Sequence, residues 1–156
     1  MRLLQAMGSA EHGGAEAFFL RLSEAFHRQN VIRQRVLVRR GSGWCDAFRE
    51  NGIDADELPF GGLFDFQTTR LFRRQINDFK PDVVLTWMNR ATKFCPTPRS
   101  ADGVVRVARL GGYYGLKNYR TCDHLIGNTR DIVKYLRDNG WPTERVHYLP
   151  NFVSEG

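Results

Sequence analysis

Short apolar runs alternate with helix-length amphipathic runs along this sequence, and that alternation constrains the fold more than any other feature. The apolar runs are Arg2–Met7, Gln34–Val38, Ile53–Leu58, Asp82–Trp87, Val104–Leu110, His124–Gly127 and Arg145–Leu149. Runs of about four to eight residues bounded by turn residues read as buried strands. Between the first two, Ala15–Gln29 places Phe18, Phe19, Leu22, Ala25 and Phe26 at three- and four-residue spacing, the period of a helix with one apolar face. Trp44–Asn51 reads as a short helix with Gly52 just past its end. Phe66–Phe79 reads as a basic amphipathic helix, with Phe72, Ile76 and Phe79 on one face and Arg70, Arg73 and Arg74 on its surface. Asn89–Asp102, which contains Pro96 and Pro98, reads as a long loop. Thr129 caps a helix over Arg130–Asn139, with Asp131 in the first turn and Gly140 and Pro142 after it. Such alternation predicts βαβ units. The expected fold class is α/β: a Rossmann-like, doubly wound, mostly parallel sheet of about seven strands with helices on both faces.

In sheets of that kind, ligands bind beyond the carboxyl ends of the strands. The informative loops therefore follow Met7, Trp87, Leu110 and Gly127. In the first, Gly13, Gly14, Ala15 and Glu16 open a helix. Adjacent glycines allow a ligand close to the backbone, and free N–H groups at a helix start favour an anion. The same glycines also suit a tight turn that needs positive φ. His12 in this loop can donate to a phosphate or exchange protons, but the sequence shows it no partner. After the fifth strand, Arg109, Gly111, Gly112, Tyr113 and Tyr114 join a potential phosphate or carboxylate clamp to rings that can stack on a sugar. The plainer alternative is that the tyrosines pack and the glycines turn the chain. Asn89, Arg90 and Lys93 follow the fourth strand, and Asn128 and Thr129 the sixth. Thr129 already has work as a helix cap.

Other chemistries find no support. The dinucleotide fingerprint G-x-G-x-x-G and the P-loop motif are both missing. So are a Ser/His/Asp or Cys/His arrangement and a Cys/His cluster for a metal. Cys45, Cys95 and Cys122 are too widely spaced to suggest a disulfide framework. Hydrophobic residues make up 42% of the chain, enough for a core. No apolar run reaches the roughly 18 residues of a membrane span. Met1–Met7 lacks the apolar core of a signal peptide, so the expected location is cytoplasmic. The net charge of +6 favours anionic partners. It is spread along the chain without a basic run interleaved with aromatics, so nucleic acid is not an expected partner. A cleft wall with anion and sugar contacts, but no nucleophile, suits half of a composite site.

Three stretches carry a family resemblance. They are the first strand running into Gly13-Gly14-Ala15-Glu16, the approach Lys80-Pro81-Asp82-Val83-Val84, and a closing unit. That unit runs from Cys122 to Arg130, through a helix ending at Gly140, to Glu144-Arg-Val-His-Tyr-Leu-Pro-Asn151. In order and spacing they resemble the retaining GT-B glycosyltransferases of family 4, also called group 1. The resemblance implies two Rossmann-like domains facing a cleft. Residues 1–150 correspond to the N-terminal, acceptor-side domain, and 151–156 to the start of the interdomain connection. The C-terminal domain would bind a nucleotide-sugar donor and carry the family's paired glutamates and pyrophosphate-binding Arg/Lys pair. It also implies that the backbone amides of Gly13 and Gly14, with Glu16, face the cleft. The sequence departs from the family where many members carry histidine, at Trp87 and near Gly111, and its exit reads Asn151-Phe152-Val153.

The expected function is thus acceptor binding in an enzyme that moves a sugar to a glycan, lipid or lipopolysaccharide-type acceptor, with this portion inactive alone. The basic face of residues 66–79 suits peripheral contact with an anionic membrane. The alternative is a non-catalytic α/β module for an anionic sugar or phosphate metabolite.

Overall fold

The computed structural model describes residues 1–62, 64–98 and 102–152. Seven strands form one sheet in the order β3-β2-β1-β4-β5-β6-β7, and every pairing is parallel. They are β1 (Arg2–Met7), β2 (Arg33–Arg39), β3 (Asp54–Leu58), β4 (Val83–Trp87), β5 (Val105–Leu110), β6 (His124–Gly127) and β7 (Val146–Tyr148). The helices are α1 (Gly14–Gln29), α2 (Trp44–Glu50), α3 (Gln67–Phe79), α4 (Met88–Phe94) and α5 (Arg130–Asp138). Short 3-10 turns cover Leu116–Tyr119 and Thr143–Arg145. The expected connection at 151–156 lies outside the described residues from 153 onward.

The chain winds both ways from β1, and this decides which helix covers which face. On one face, Leu3, Met7, Val36, Val38, Leu85 and Trp87 meet Phe18 and Phe19 of α1 and Phe48 of α2. On the other, Leu4, Ala6, Leu37 and Val84 meet Phe72, Ile76 and Phe79 of α3 and Ala91 and Phe94 of α4. Farther along that second face, Ala108, Leu110, Leu125 and Val146 pack on Ile132, Val133 and Leu136 of α5. Strand residues alternate between the two cores, the period-two logic of a pleated strand buried on both sides.

A buried polar cluster crosses this apolar interior. Gln5 on β1 donates through Nε2 to Ser23 Oγ of α1 at 3.1 Å and to Gln34 Oε1 of β2 at 3.0 Å. Its Oε1 accepts from Trp87 Nε1 of β4 at 2.9 Å. Gln34 Nε2 in turn donates to the Ser23 carbonyl at 2.6 Å. Gln5 and Ser23 have no exposed surface, so each of these groups depends on the others rather than on water.

The sheet is wholly rather than mostly parallel, and the ends of the expected strands fall within one residue of those observed. One element departs from expectation. Met88–Phe94 is a helix, so Asn89, Arg90 and Lys93 stand on α4 and not in a loop. Nothing local marks this helix. Its start lacks a side-chain cap and its first residue, Met88, has φ +64°. Burial of Ala91, Thr92 and Phe94 against β4, β5 and α3 holds it in place. Tertiary packing thus supplies what propensity does not.

Gln5→Leu should lower unfolding free energy by roughly 1–3 kcal/mol, because Trp87 Nε1 and Gln34 lose a buried partner. Chemical denaturation monitored by tryptophan fluorescence measures this. An unchanged midpoint would show that the cluster does not hold the strands together.

Candidate functional site

The carboxyl ends of all seven strands point to one rim, and the singled-out loops stand along it. Two clusters form there. The first is a groove of about 400 Å³ bounded by Gly8, Ser9, Ala10, Glu11, Arg39, Trp87, Met88 and Arg90. Arg90 is the one sequence-predicted residue among them. Its Nη1 donates to the carbonyls of Phe60 at 2.9 Å and Gly61 at 2.8 Å, which ties α4 to the loop after β3. Gly8 makes room for the arginine stem, since a Cβ there would stand 2.9 Å from Arg90 Cγ. Met88 lines the groove in the left-handed backbone region, which a non-glycine residue occupies at a cost.

The second cluster follows β5 and β6. Gly111 lies beside Asn128, whose Nδ2 would be 3.6 Å from an added Cβ. The Asn128 Oδ1 is buried and accepts no hydrogen bond among the described residues. Gly112 lies under the Tyr114 ring. Tyr113 is exposed, and its ring meets Tyr135 edge-on at 5.4 Å. Tyr135 Oη donates to the Tyr114 carbonyl at 2.8 Å. Burial, and then the charge of Glu16, raise the Tyr114 phenol above its ordinary pKa. Asn89 accepts from Asn118 Nδ2 at 3.3 Å, so α4 reaches the same region.

The glycine loop follows β1 on the same rim. Gly13 is the N-cap of α1 with φ −94°, and the positive-φ glycines are others. The turn reading of the glycine pair, which needed positive φ, therefore fails. Nothing lies within 4 Å of a Cβ placed on Gly14, so the backbone there borders open space. Glu16 is turned inward, 3% exposed, and accepts the Gly13 N–H at 3.1 Å. That is a capping contact, and it supplies negative charge at the positive end of a helix. His12 has partners that the sequence did not show. Its ring stacks on Trp44 at 4.4 Å, and Nε2 lies 2.9 Å from the Ser42 carbonyl. A carbonyl only accepts, so Nε2 carries the proton and Nδ1 is the free nitrogen of the neutral ring.

Arg109 is not an exposed clamp. It is 2% exposed, its guanidinium lying 4.8 Å from the Phe18 ring centroid and 5.0 Å from that of Trp87. Nη2 donates to the Leu149 carbonyl at 3.4 Å and to the Asn151 side chain. Nε is buried with no partner, and no carboxylate pairs with Arg109 among the described residues. Burial lowers its pKa to about 10, which leaves it a cation at neutral pH. Phe152 adds an edge contact to Phe18 at 5.1 Å. Arg109 thus grips the segment that follows β7. Thr129 caps α5, its Oγ1 accepting from Ile132 N at 3.1 Å. Lys93 lies over the Phe94 ring on the exposed side of α4. Sequence reasoning missed Ser9, Arg39 and Met88 as groove residues and Asn151 as the arginine's partner. Position alone, at or just past a strand end, could have flagged Ser9, Arg39 and Met88.

Arg109→Met should leave the global melt nearly unchanged, because a buried unpaired charge is replaced by a thioether. Hydrogen exchange at the amide of Leu149 should quicken, while β1 and β4 stay protected. Equal protection at Leu149 would show that the arginine does not secure the segment after β7.

A family profile described as Glycosyltransferase Family 4 matches residues 12–155. The chain is 34% identical over 144 residues to the lipopolysaccharide core biosynthesis glycosyltransferase LpsD of Rhizobium meliloti, covering 90% of this chain and 40% of that protein. It is 30% identical over 156 residues to LpsE of the same organism, described in the same words, covering 92% of this chain and 42% of that one. The chain therefore spans about two fifths of the length of these relatives. Anabaena Alr3699/HepE, solved in complex with UDP, superimposes with a TM-score of 0.74 at 12% identity, over 98% of this chain and 44% of that one. A glycosyltransferase from Rickettsia africae gives 0.71 at 12% identity, over 96% and 42%. This chain belongs to Glycosyltransferase Family 4, and its fold is that of the N-terminal half of a GT-B glycosyltransferase.

Proposed function

We propose that this chain forms the acceptor-side wall of a retaining sugar transferase whose nucleotide-sugar donor is held by a second domain. Residues 1–150 make up the wall, and residues 151–156 begin the connection to the other side. The reading places the protein in the cytoplasm, handling a glycan, lipid or lipopolysaccharide-type acceptor. The observation that carries it is the open backbone at Gly14. It follows β1, on the rim that also carries the Arg39/Arg90 groove and the Tyr113/Asn128 cluster and where a doubly wound sheet binds ligands. The names of the two Rhizobium relatives support the acceptor class.

The proposed roles follow from what each group can donate. Arg39 and Arg90 offer cationic N–H groups to acceptor phosphate or carboxylate. Free amides at the start of α1 can meet the donor phosphates. The exposed Tyr113 ring offers a stacking face, and Asn128 stands beside Gly111 on the same rim. Glu16 and Arg109 act by position, one fixing the glycine loop and the other the exit segment. Wall residues of this kind orient and stabilise, and the second wall supplies the rest of the transition-state contacts.

The test is sugar transfer from a panel of nucleotide sugars to lipopolysaccharide-core acceptor. The chain joined to its native second domain should turn over, and residues 1–156 alone should not. Turnover by residues 1–156 alone would refute the composite site. In the two-domain protein, Gly14→Val should cut kcat/KM by roughly tenfold or more while the melt stays put, because its side chain projects into open cleft. Unaltered kinetics would remove Gly14 from the site.

A further inference from the structure

An open pocket of about 440 Å³ lies toward the amino ends of β6 and β7, the edge of the sheet opposite the rim. Two stretches of chain form it. Residues 116–122 lead into β6, and residues 139–145 join α5 to β7. Lys117, Arg120 and Arg145 border it. All three are exposed, and none makes a side-chain hydrogen bond or an ion pair among the described residues. No carboxylate lines the pocket among the described residues. The acids near it in the chain are otherwise engaged or stand outside the lining. Asp123 Oδ2 accepts from Arg106 N at 2.9 Å, Asp138 pairs with Lys134 at 2.6 Å, and Glu144 is not part of the wall. Charge of one sign around a concavity focuses its field there and draws an anion in.

The walls are held by backbone bonds. Cys122 N donates to the Tyr119 carbonyl at 3.0 Å, and Arg145 N to the Pro142 carbonyl at 3.0 Å. The carboxyl end of α5 also reaches the pocket, and bare carbonyls at a helix end repel an anion. Here they are covered. The Tyr135 carbonyl accepts from Asn139 N at 3.1 Å and from Asn139 Nδ2 at 2.8 Å. Those of Leu136 and Arg137 accept from Trp141 N and Gly140 N, each at 3.1 Å. Gly140, with φ +96°, makes the turn that brings Trp141 back against the domain. Trp141 and Leu116 are half-buried and pack on the core around Leu125 and Leu136, which leaves an apolar ledge beside the three cations.

A pocket of this volume suits a small organic molecule. Its two guanidinium forks match phosphate oxygens, and the lysine adds a compact charge. The ledge asks for an uncharged body attached to that phosphate. We infer that the pocket binds a small phosphate monoester of a sugar or a nucleoside. Lys117, Arg120 and Arg145 hold the phosphate, and Trp141 and Leu116 lie under the organic part. None of these residues belongs to the Arg39/Arg90 groove or to the Tyr113/Asn128 cluster, so the inference goes beyond the proposed function and does not rest on it.

Amide NMR spectra of the isotope-labelled chain test this without any transfer reaction. The titrants are glucose 1-phosphate, uridine monophosphate and inorganic phosphate at one fixed ionic strength, since salt screens exposed charges. Shifts should gather at the amides of Lys117, Gly140 and Trp141 and at the Trp141 indole. At least one monoester should bind about 3-fold or more tighter than inorganic phosphate, because only its organic part reaches the ledge. The tighter of the two tells whether a sugar or a nucleoside is the natural body. Arg120→Gln/Arg145→Gln should weaken binding by roughly tenfold or more, and Lys117→Gln by a smaller factor. Both variants should melt with the parent chain, because the replaced side chains are exposed and unpaired. Shifts that spare the pocket, monoesters that bind no better than inorganic phosphate, or full affinity after the double arginine change would overturn the inference.

Discussion

The Gln5 carboxamide is the point on which the centre of this structure turns. It spends both of its hydrogen-bonding ends inside the core, giving protons to α1 and β2 and receiving one from Trp87 on β4. A one-residue slip of β1 against either neighbour would leave several of these groups buried without partners, a heavier penalty than a slip between purely apolar strands. Register at the sheet centre is thereby specified, and so is the level at which β1, β2 and β4 end. The groove is built on those three ends. Trp87, set in place by Gln5, then serves as one of the two rings that flank Arg109.

The electrostatics of the rim follow from the same economy. Arg109 and Arg90 are both spent on backbone carbonyls, but their surroundings differ. Arg90 is exposed at its groove and keeps capacity for an anion, whereas Arg109 is sealed between aromatic faces. A guanidinium is tolerated there because it is flat, weakly hydrated and stacks well, features that an ammonium lacks. Glu16 is the opposite case, a buried carboxylate supported by a Gly13 amide and a helix terminus.

The strands were legible because parallel strands buried on both faces are near-continuous apolar runs, and glycine, proline or polar residues punctuate each one. Their order then located the rim where ligands bind. What stayed hidden was whatever depends on distant neighbours. Helix α4 has seven residues and no cap, and the prolines just beyond it mask its short apolar face. The left-handed turn at Met88 leaves no trace in composition, since methionine is not a turn residue. Arg109 looked like a clamp because a sequence shows which groups a side chain carries but not which way it faces. The stack of His12 on Trp44 joins the loop after β1 to the start of α2, and no local period records it. Glycines were readable as places of close approach, but which neighbour each one admits was not. Gly8 admits the stem of Arg90, and Gly14 admits nothing from this domain.

The grip of Arg109 on Asn151 has a mechanical consequence. The segment at Leu149 and Asn151 does not hang from a loose surface loop. It is tied to an anchor whose other end is wedged against Phe18 of α1 and Trp87 of β4. A pull on Asn151 is therefore delivered to the packed rings beneath the rim and not dissipated at the periphery.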